Sequence, residues 1–229
     1  MKRAVIIVGG GKGLRMGGEL PKQFFPLNGK PVLMHTLEVF HRWDSSARLV
    51  LVIPEVFQPY WEMLCRELNC TIPHRIVHGG EMRYHSTQNA LPEVADCDLI
   101  GVHDGVRPFV SVDVIEACYM AAQEKGAAIP VIQHIESLRI KDGDHSRAVD
   151  RSNYLIVQTP QVFQRDWLFE AFKQPWQPLF TEEASLVEAT GKAICLVEGN
   201  IENIKITTPV DMATAEIMMR NYKKKENVA

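Results

Sequence analysis

The chain has 229 residues, 46% of them hydrophobic and 23% charged, with a formal net charge of −3. That balance excludes a disordered or membrane-embedded chain, and a pI near 6.2 argues against nucleic acid as the main partner, because binding a phosphate backbone calls for a basic face. The five cysteines (Cys65, Cys70, Cys97, Cys118, Cys195) show no metal-type spacing and read as thiols in a reducing compartment.

Residues 2–11 run K-R-A-V-I-I-V-G-G-G, and the five apolar residues before the glycines are too few for a secretory leader. With no run near the ~18 apolar residues of a membrane span, the expected location is cytoplasmic, away from any membrane. Residues 4–8 read instead as a strand, followed by a glycine-rich turn and a helix opened by Pro31 with Leu33, Leu37 and Phe40 on one face. Residues 49–53 and 99–102 read as further strands, and residues 112–125 as a helix with Ile115, Cys118, Tyr119 and Ala122 at helical spacing. This alternation predicts an α/β fold, a Rossmann-like, mostly parallel twisted sheet flanked by helices. The strands are almost wholly apolar, so both faces are expected to be covered.

Residues 133–157 break the rhythm. There K-D-G-D, flanked by Leu138, Ile140 and Ala148, predicts a projecting β-hairpin arm of the kind that exchanges contacts with a partner subunit. Near the end, Thr208-Pro209 and Asp211 mark a helix start, with Met212, Ala215, Met219 and Tyr222 facing inward and K-K-K-E-N as a solvated tail. No repeat or low-complexity linker interrupts the chain, so residues 1–229 are expected to form a single domain with an arm.

Glycines directly after the first strand, Gly9-Gly10-Gly11-Lys12-Gly13-Leu14-Arg15, suit close approach of backbone N–H groups to phosphate. They fit neither common phosphate motif. A Walker loop needs glycine where Ile6 stands and a hydroxyl residue where Gly13 stands, and G-x-G-x-x-G needs glycine at Leu14 or Met16. Asp104, at the carboxyl end of a strand, lies where open α/β sheets bind ligands. Asp142-Gly143-Asp144 has the D-x-D form of nucleotide-sugar glycosyltransferases, but between alternating residues it reads as a turn. The eight histidines have no paired-ligand spacing, and His35 and His41 read as ordinary helix residues.

Gly11 to Met16 followed by Leu20-Pro21-Lys22-Gln23-Phe24 resembles the signature loop of the sugar-phosphate nucleotidylyltransferases. Its P-K-Q form is similar to the cytidylyltransferases for 2-C-methyl-D-erythritol 4-phosphate. Further blocks follow in that family's order: Gly79-Gly80-Glu81 with Arg83 and Ser86, His103-Asp104-Gly105-Val106-Arg107-Pro108, Val149-Asp150-Arg151, Thr159-Pro160-Gln161, Thr181-Glu182-Glu183-Ala184, and Glu198-Gly199 through Asn203-Ile204-Lys205. The loop departs from the family in carrying Val8-Gly9-Gly10-Gly11 where Pro-Ala-Ala-Gly is usual, and Gly105-Val106 replaces an Ala-Ala pair.

The resemblance implies transfer of CMP from CTP to a polyol phosphate, with Mg²⁺ or another divalent cation and a homodimer built through the arm. It implies Arg15, Lys22, Arg151 and Lys205 as the catalytic cations, with Gly9, Gly10, Gly11, Gly13, Gly80, Glu81, Ser86, Asp104 and Gly105 around CTP. Asp104, Arg107, Ser137, Arg151, Thr159 and Lys205 would surround the polyol phosphate, with Asp104 near the metal and Arg151 serving the neighbouring subunit. A ribitol 5-phosphate enzyme is the sibling alternative. Asp150 before Arg151 favours the methylerythritol branch, because the ribitol branch tends to carry proline there.

Overall fold

The three apolar runs at residues 4–8, 49–53 and 99–102 become the centre of one twisted sheet. The computed structural model describes residues 1–10 and 20–226, with side chains as far as Asn221. Its strands are β1 (Arg3–Val8), β2 (Pro26–Leu27), β3 (Lys30–Pro31), β4 (Arg48–Ile53), β5 (Arg75–His78), β6 (Leu99–Asp104), β7 (Ala127–Gln133), β8 (Arg139–Asp142), β9 (His145–Ala148), β10 (Leu155–Val157), β11 (Gln161–Gln164) and β12 (Cys195–Glu198). Its helices are α1 (Val32–Trp43), α2 (Gln58–Glu67), α3 (Arg83–Ala90), α4 (Val112–Lys125), α5 (Arg165–Ala171), α6 (Glu183–Glu188) and α7 (Pro209–Glu226).

The main sheet runs β10-β7-β11-β6-β1-β4-β5, with β12 also paired to β7. Strands β6, β1, β4 and β5 are mutually parallel, β12 is parallel to β7, and β10 and β11 are antiparallel insertions. The expected mostly parallel sheet is therefore present. Alternate residues of each central strand face opposite layers. Ala4, Ile6, Val50, Val52, Ile100 and Val102 pack with residues of α3, α5 and α6, whereas Val5, Ile7, Leu49, Leu51, Ile53 and Leu99 pack with residues of α1, α2 and α4. A smaller cluster seats α7, where Met212, Ala215 and Met219 meet Leu27, Val106 and Ile206. Tyr222 and the basic tail lie outside the described side chains.

Local chemistry sets the helix ends. The Ser111 hydroxyl accepts the Val114 amide at 3.2 Å to open α4. Gly126 closes α4 at φ +93°, donating its amide to Ala122 O at 2.8 Å, and a Cβ there would strike the Trp167 ring. At α7 the Asp211 carboxylate accepts the amides of Thr207 and Thr208, each at 2.8 Å.

Strands β8 and β9 form a separate hairpin, pairing Asp142 with His145 across a turn in which Gly143 takes φ +56°. The Asp142-Gly143-Asp144 run is thus a turn, and both strands are exposed along their whole length. Among the described residues, no helix is long and apolar enough to cross a membrane.

Candidate active site

The carboxyl ends of β1, β5 and β6 open onto a cleft, because the chain folds over each strand and spends its next amide on a neighbouring strand. Gly9 N–H donates to Val52 O at 2.8 Å, Gly79 N–H to Ile53 O at 2.9 Å and Gly105 N–H to Val8 O at 2.9 Å. Two of these turns touch at the cleft floor. A Cβ on Gly10 would lie 2.9 Å from Ser86 Oγ, and one on Gly79 3.3 Å from Gly10 Cα, so glycine is needed for the two backbones to meet. Ser86 Oγ accepts the Gly80 amide at 3.1 Å and donates to Met82 O at 3.0 Å, which shapes the second glycine turn from within.

The cleft holds a hollow of about 520 Å³ bordered by Gly9, Gly10, Lys22, Gly80, Glu81 and Ser86. Beside it lies a second hollow of about 260 Å³ bordered by Arg107, Thr159, Gln161 and Glu182. Arg83, Asp104 and Lys205 line both. Most of the residues expected around a nucleotide thus share one hollow, and Arg107 and Thr159 sit in its neighbour. Gly105 lies behind the cleft, its carbonyl accepting the Thr36 hydroxyl at 3.1 Å and its Cα facing Leu33. Ser137 and Arg151 are exposed in the arm and border neither hollow, and Arg151 donates to Ile135 O. Gly11, Gly13 and Arg15 lie outside the described residues.

At the junction, Asp104 Oδ2 receives Lys205 Nζ at 3.0 Å and Arg107 Nε at 3.1 Å, while Oδ1 faces Arg83 Nε at 3.4 Å. Burial alone would raise the Asp104 pKa; the three cations outweigh it and hold the carboxyl well below the usual carboxylate range. At this junction Arg83, Arg107 and Lys205 face two carboxylates, Asp104 and Glu183, and Glu182 borders the smaller hollow beside them. Several contributors carried no local signal in the sequence. Gln23 is buried and donates to Gly9 O at 2.6 Å, and Asn203 is buried and donates to Thr159 O at 2.9 Å, while Asn203 O accepts Arg107 Nη1 at 2.7 Å. Only their membership of P-K-Q and N-I-K blocks marks them in advance.

His103 secures this junction from behind. It is fully buried, packed edge-on to Phe40 at 4.7 Å, with Nε2 3.0 Å from Arg107 O and Nδ1 3.0 Å from Thr159 Oγ1. A carbonyl only accepts, so Nε2 carries the proton, and Nδ1 of the neutral ring accepts the Thr159 hydroxyl. Thr159 Oγ1 in turn accepts the Asp104 amide at 3.1 Å. Burial pushes the His103 pKa down to about 4. The unfolded chain therefore binds a proton near pH 6.5 that the native state refuses, and stability falls as the pH drops from there toward 4. His103→Gln removes this linkage. Between pH 7 and pH 5, wild type is expected to lose about 2 kcal/mol more than the variant in urea unfolding. Parallel losses in the two proteins would show that His103 is not held neutral.

A glycine-floored cleft beyond a parallel sheet, with cations gathered between two adjoining hollows, is the plan of a nucleotidyltransferase. Comparison with known proteins narrows the class. The family model for 2-C-methyl-D-erythritol 4-phosphate cytidylyltransferase (IspD) matches residues 3–221. The chain is 53% identical over 219 residues to the Phocaeicola vulgatus 2-C-methyl-D-erythritol 4-phosphate cytidylyltransferase, covering 96% of this chain and all of that one. The crystal structure of the Thermus thermophilus enzyme of the same name superposes with a TM-score of 0.79 at 31% identity, covering 96% of this chain and all of that one. The chain belongs to the 2-C-methyl-D-erythritol 4-phosphate cytidylyltransferase family.

Proposed function

We propose that this chain transfers CMP from CTP to 2-C-methyl-D-erythritol 4-phosphate and releases pyrophosphate, a step of non-mevalonate isoprenoid precursor synthesis. The observation that carries this reading is the sharing of Asp104 and Lys205 by two adjoining hollows, since in-line transfer needs two phosphates side by side. A phosphate monoester is largely dianionic near neutral pH, its second pKa being about 6, so it attacks the α-phosphorus without a general base. A new oxygen–phosphorus bond forms as the bond to the β-phosphate breaks, and pyrophosphate leaves with the electron pair. The protein's task is positioning and charge neutralisation.

In this reading the larger hollow takes CTP, with Gly9 and Gly10 beneath its phosphates and Gly80, Glu81 and Ser86 beside cytosine and ribose. Lys22 and Arg15 balance charge growing on the triphosphate. The smaller hollow takes the polyol phosphate, where Arg107 and Thr159 border it and Lys205 and Arg151 hold the attacking phosphate in line. Among the described residues, no three His, Cys, Asp or Glu side chains converge on a common point, and both oxygens of Asp104 already face cations. A divalent ion therefore suits the triphosphate and enters as part of the nucleotide substrate, where it neutralises phosphate charge. The working unit is a homodimer joined through the arm and located in the cytoplasm. Support for the dimer comes from the arm's exposure and from Ile135, Leu155, Ile156, Leu196 and Ile201, all solvent-exposed near its root.

Pyrophosphate release from each of four nucleoside triphosphates, against 2-C-methyl-D-erythritol 4-phosphate and ribitol 5-phosphate, tests the assignment. CTP with the methylerythritol acceptor is expected to exceed every other pair by ~100-fold in kcat/KM. Faster turnover with ribitol 5-phosphate would replace the acceptor.

A further inference from the structure

Arg83 has a placement that the reaction as described does not use. It opens α3 directly after the second glycine turn, and its guanidinium lies between two carboxylates on different elements. Nε faces Asp104 Oδ1 at 3.4 Å, and Nη1 is paired with Glu183 at the start of α6. Glu183 is only 2% exposed, and its other oxygen accepts the hydroxyl of Thr87, one turn along α3 from Arg83, at 2.8 Å. A buried carboxylate is costly to desolvate and persists when its oxygens are filled and its charge is matched. Glu183 meets both conditions through two residues of α3, so its charge fixes the guanidinium.

The consequence falls on Asp104. Lys205 and Arg107 both sit on Oδ2, and without a partner on Oδ1 the carboxylate could turn about its terminal torsion and carry Lys205 with it. The planar guanidinium suits this task because it can meet two carboxylates at once in fixed geometry, whereas an ammonium is a point charge. Arg83 also lines both hollows, so the element that carries the glycine turn of one and the element that closes the other are tied at this single side chain.

We propose that Arg83 is a positioning residue for transfer: anchored by Glu183 and Thr87, it fixes the Asp104 carboxylate and, through it, the Lys205 ammonium at the junction of the two hollows. The kinetic part rests on the cytidylyl-transfer reading above, and the structural part does not.

The test compares wild type with Arg83→Lys, Glu183→Gln, Thr87→Val and the Arg83→Lys/Glu183→Gln double variant. Each single charge variant is expected to lower kcat about 10- to 100-fold while KM for CTP stays within about threefold, because alignment is lost and nucleotide contacts remain. The double variant should be no slower than the worse single, since the two residues act as a unit. Thr87→Val, the mildest change, should lose severalfold and keeps the test alive if a charge variant does not fold. Crystal structures of the variants should show Asp104 turned and the 3.0 Å contact to Lys205 broken. Wild-type rates at temperatures below melting, multiplicative losses in the double variant, or an unmoved Asp104–Lys205 pair would each overturn the proposal. If wild type fails to use this acceptor while Asp104 turns in the variants, the functional reading falls and the positioning role stands.

Discussion

Replacing Lys205 with alanine is expected to lower kcat for CMP transfer by ~10²–10³, the usual effect of removing one preorganised cation or donor from a developing charge. Lys205 is the sole lysine among the described residues that borders both hollows, and its ammonium lies 3.0 Å from the Asp104 carboxylate. Its side chain keeps 42% exposure, so the ammonium remains open to a ligand on one side while Asp104 fixes it on the other. The fold should survive the change. Asp104 retains Arg83 and Arg107, so no buried charge is left without a partner, and thermal unfolding should move little. Steady-state pyrophosphate release alongside a melting curve separates the two effects. A wild-type kcat in the alanine variant would remove Lys205 from the chemistry.

The parts of this fold that were legible in the sequence are those whose determinants are local. Strand β6 declares itself because residues 99–102 are apolar on both faces, and α4 because Ile115, Cys118, Tyr119 and Ala122 recur at helical spacing. The hairpin is legible because Gly143 sits where a positive φ is required. Other elements are set by distant partners. Strand β11, Gln161 to Gln164, runs antiparallel between β6 and β7, a direction fixed by the chain's return from the arm and by no feature of its four residues. Helix α3 lacks a clear apolar stripe because one part of it serves the cleft, where Ser86 and Thr87 are buried for their hydroxyl contacts. The same distinction divides the site. The glycines and Asp104 lie at strand ends and can be found from pattern, whereas Arg83 and Glu183 are 100 residues apart and neither has a local reason to pair with the other. Only the ordered family blocks bring such pairs into view before the structure does.

Mixing two inactive variants is expected to restore activity if Arg151 works across a dimer. Within its own chain Arg151 is exposed, belongs to the short turn after β9, donates to Ile135 O and borders neither hollow. A cation in that position acts on phosphate only if the arm reaches another subunit's cleft, and a twofold dimer would make the exchange reciprocal. Homodimers of Arg151→Ala and of Lys205→Ala should each be nearly inactive. In a mixed dimer, one site combines both defects, while the other joins an intact Lys205 to an intact Arg151 from the opposite chain. Random reassociation makes half the dimers mixed, each with one intact site of two, so about one quarter of the wild-type rate should return. A cis-acting Arg151 would leave both sites of the mixed dimer broken and recover nothing. Sedimentation of the unmixed proteins supplies the control: a monomer at assay concentration would end the trans-site model irrespective of the kinetics, because no second chain would be present to lend the arginine.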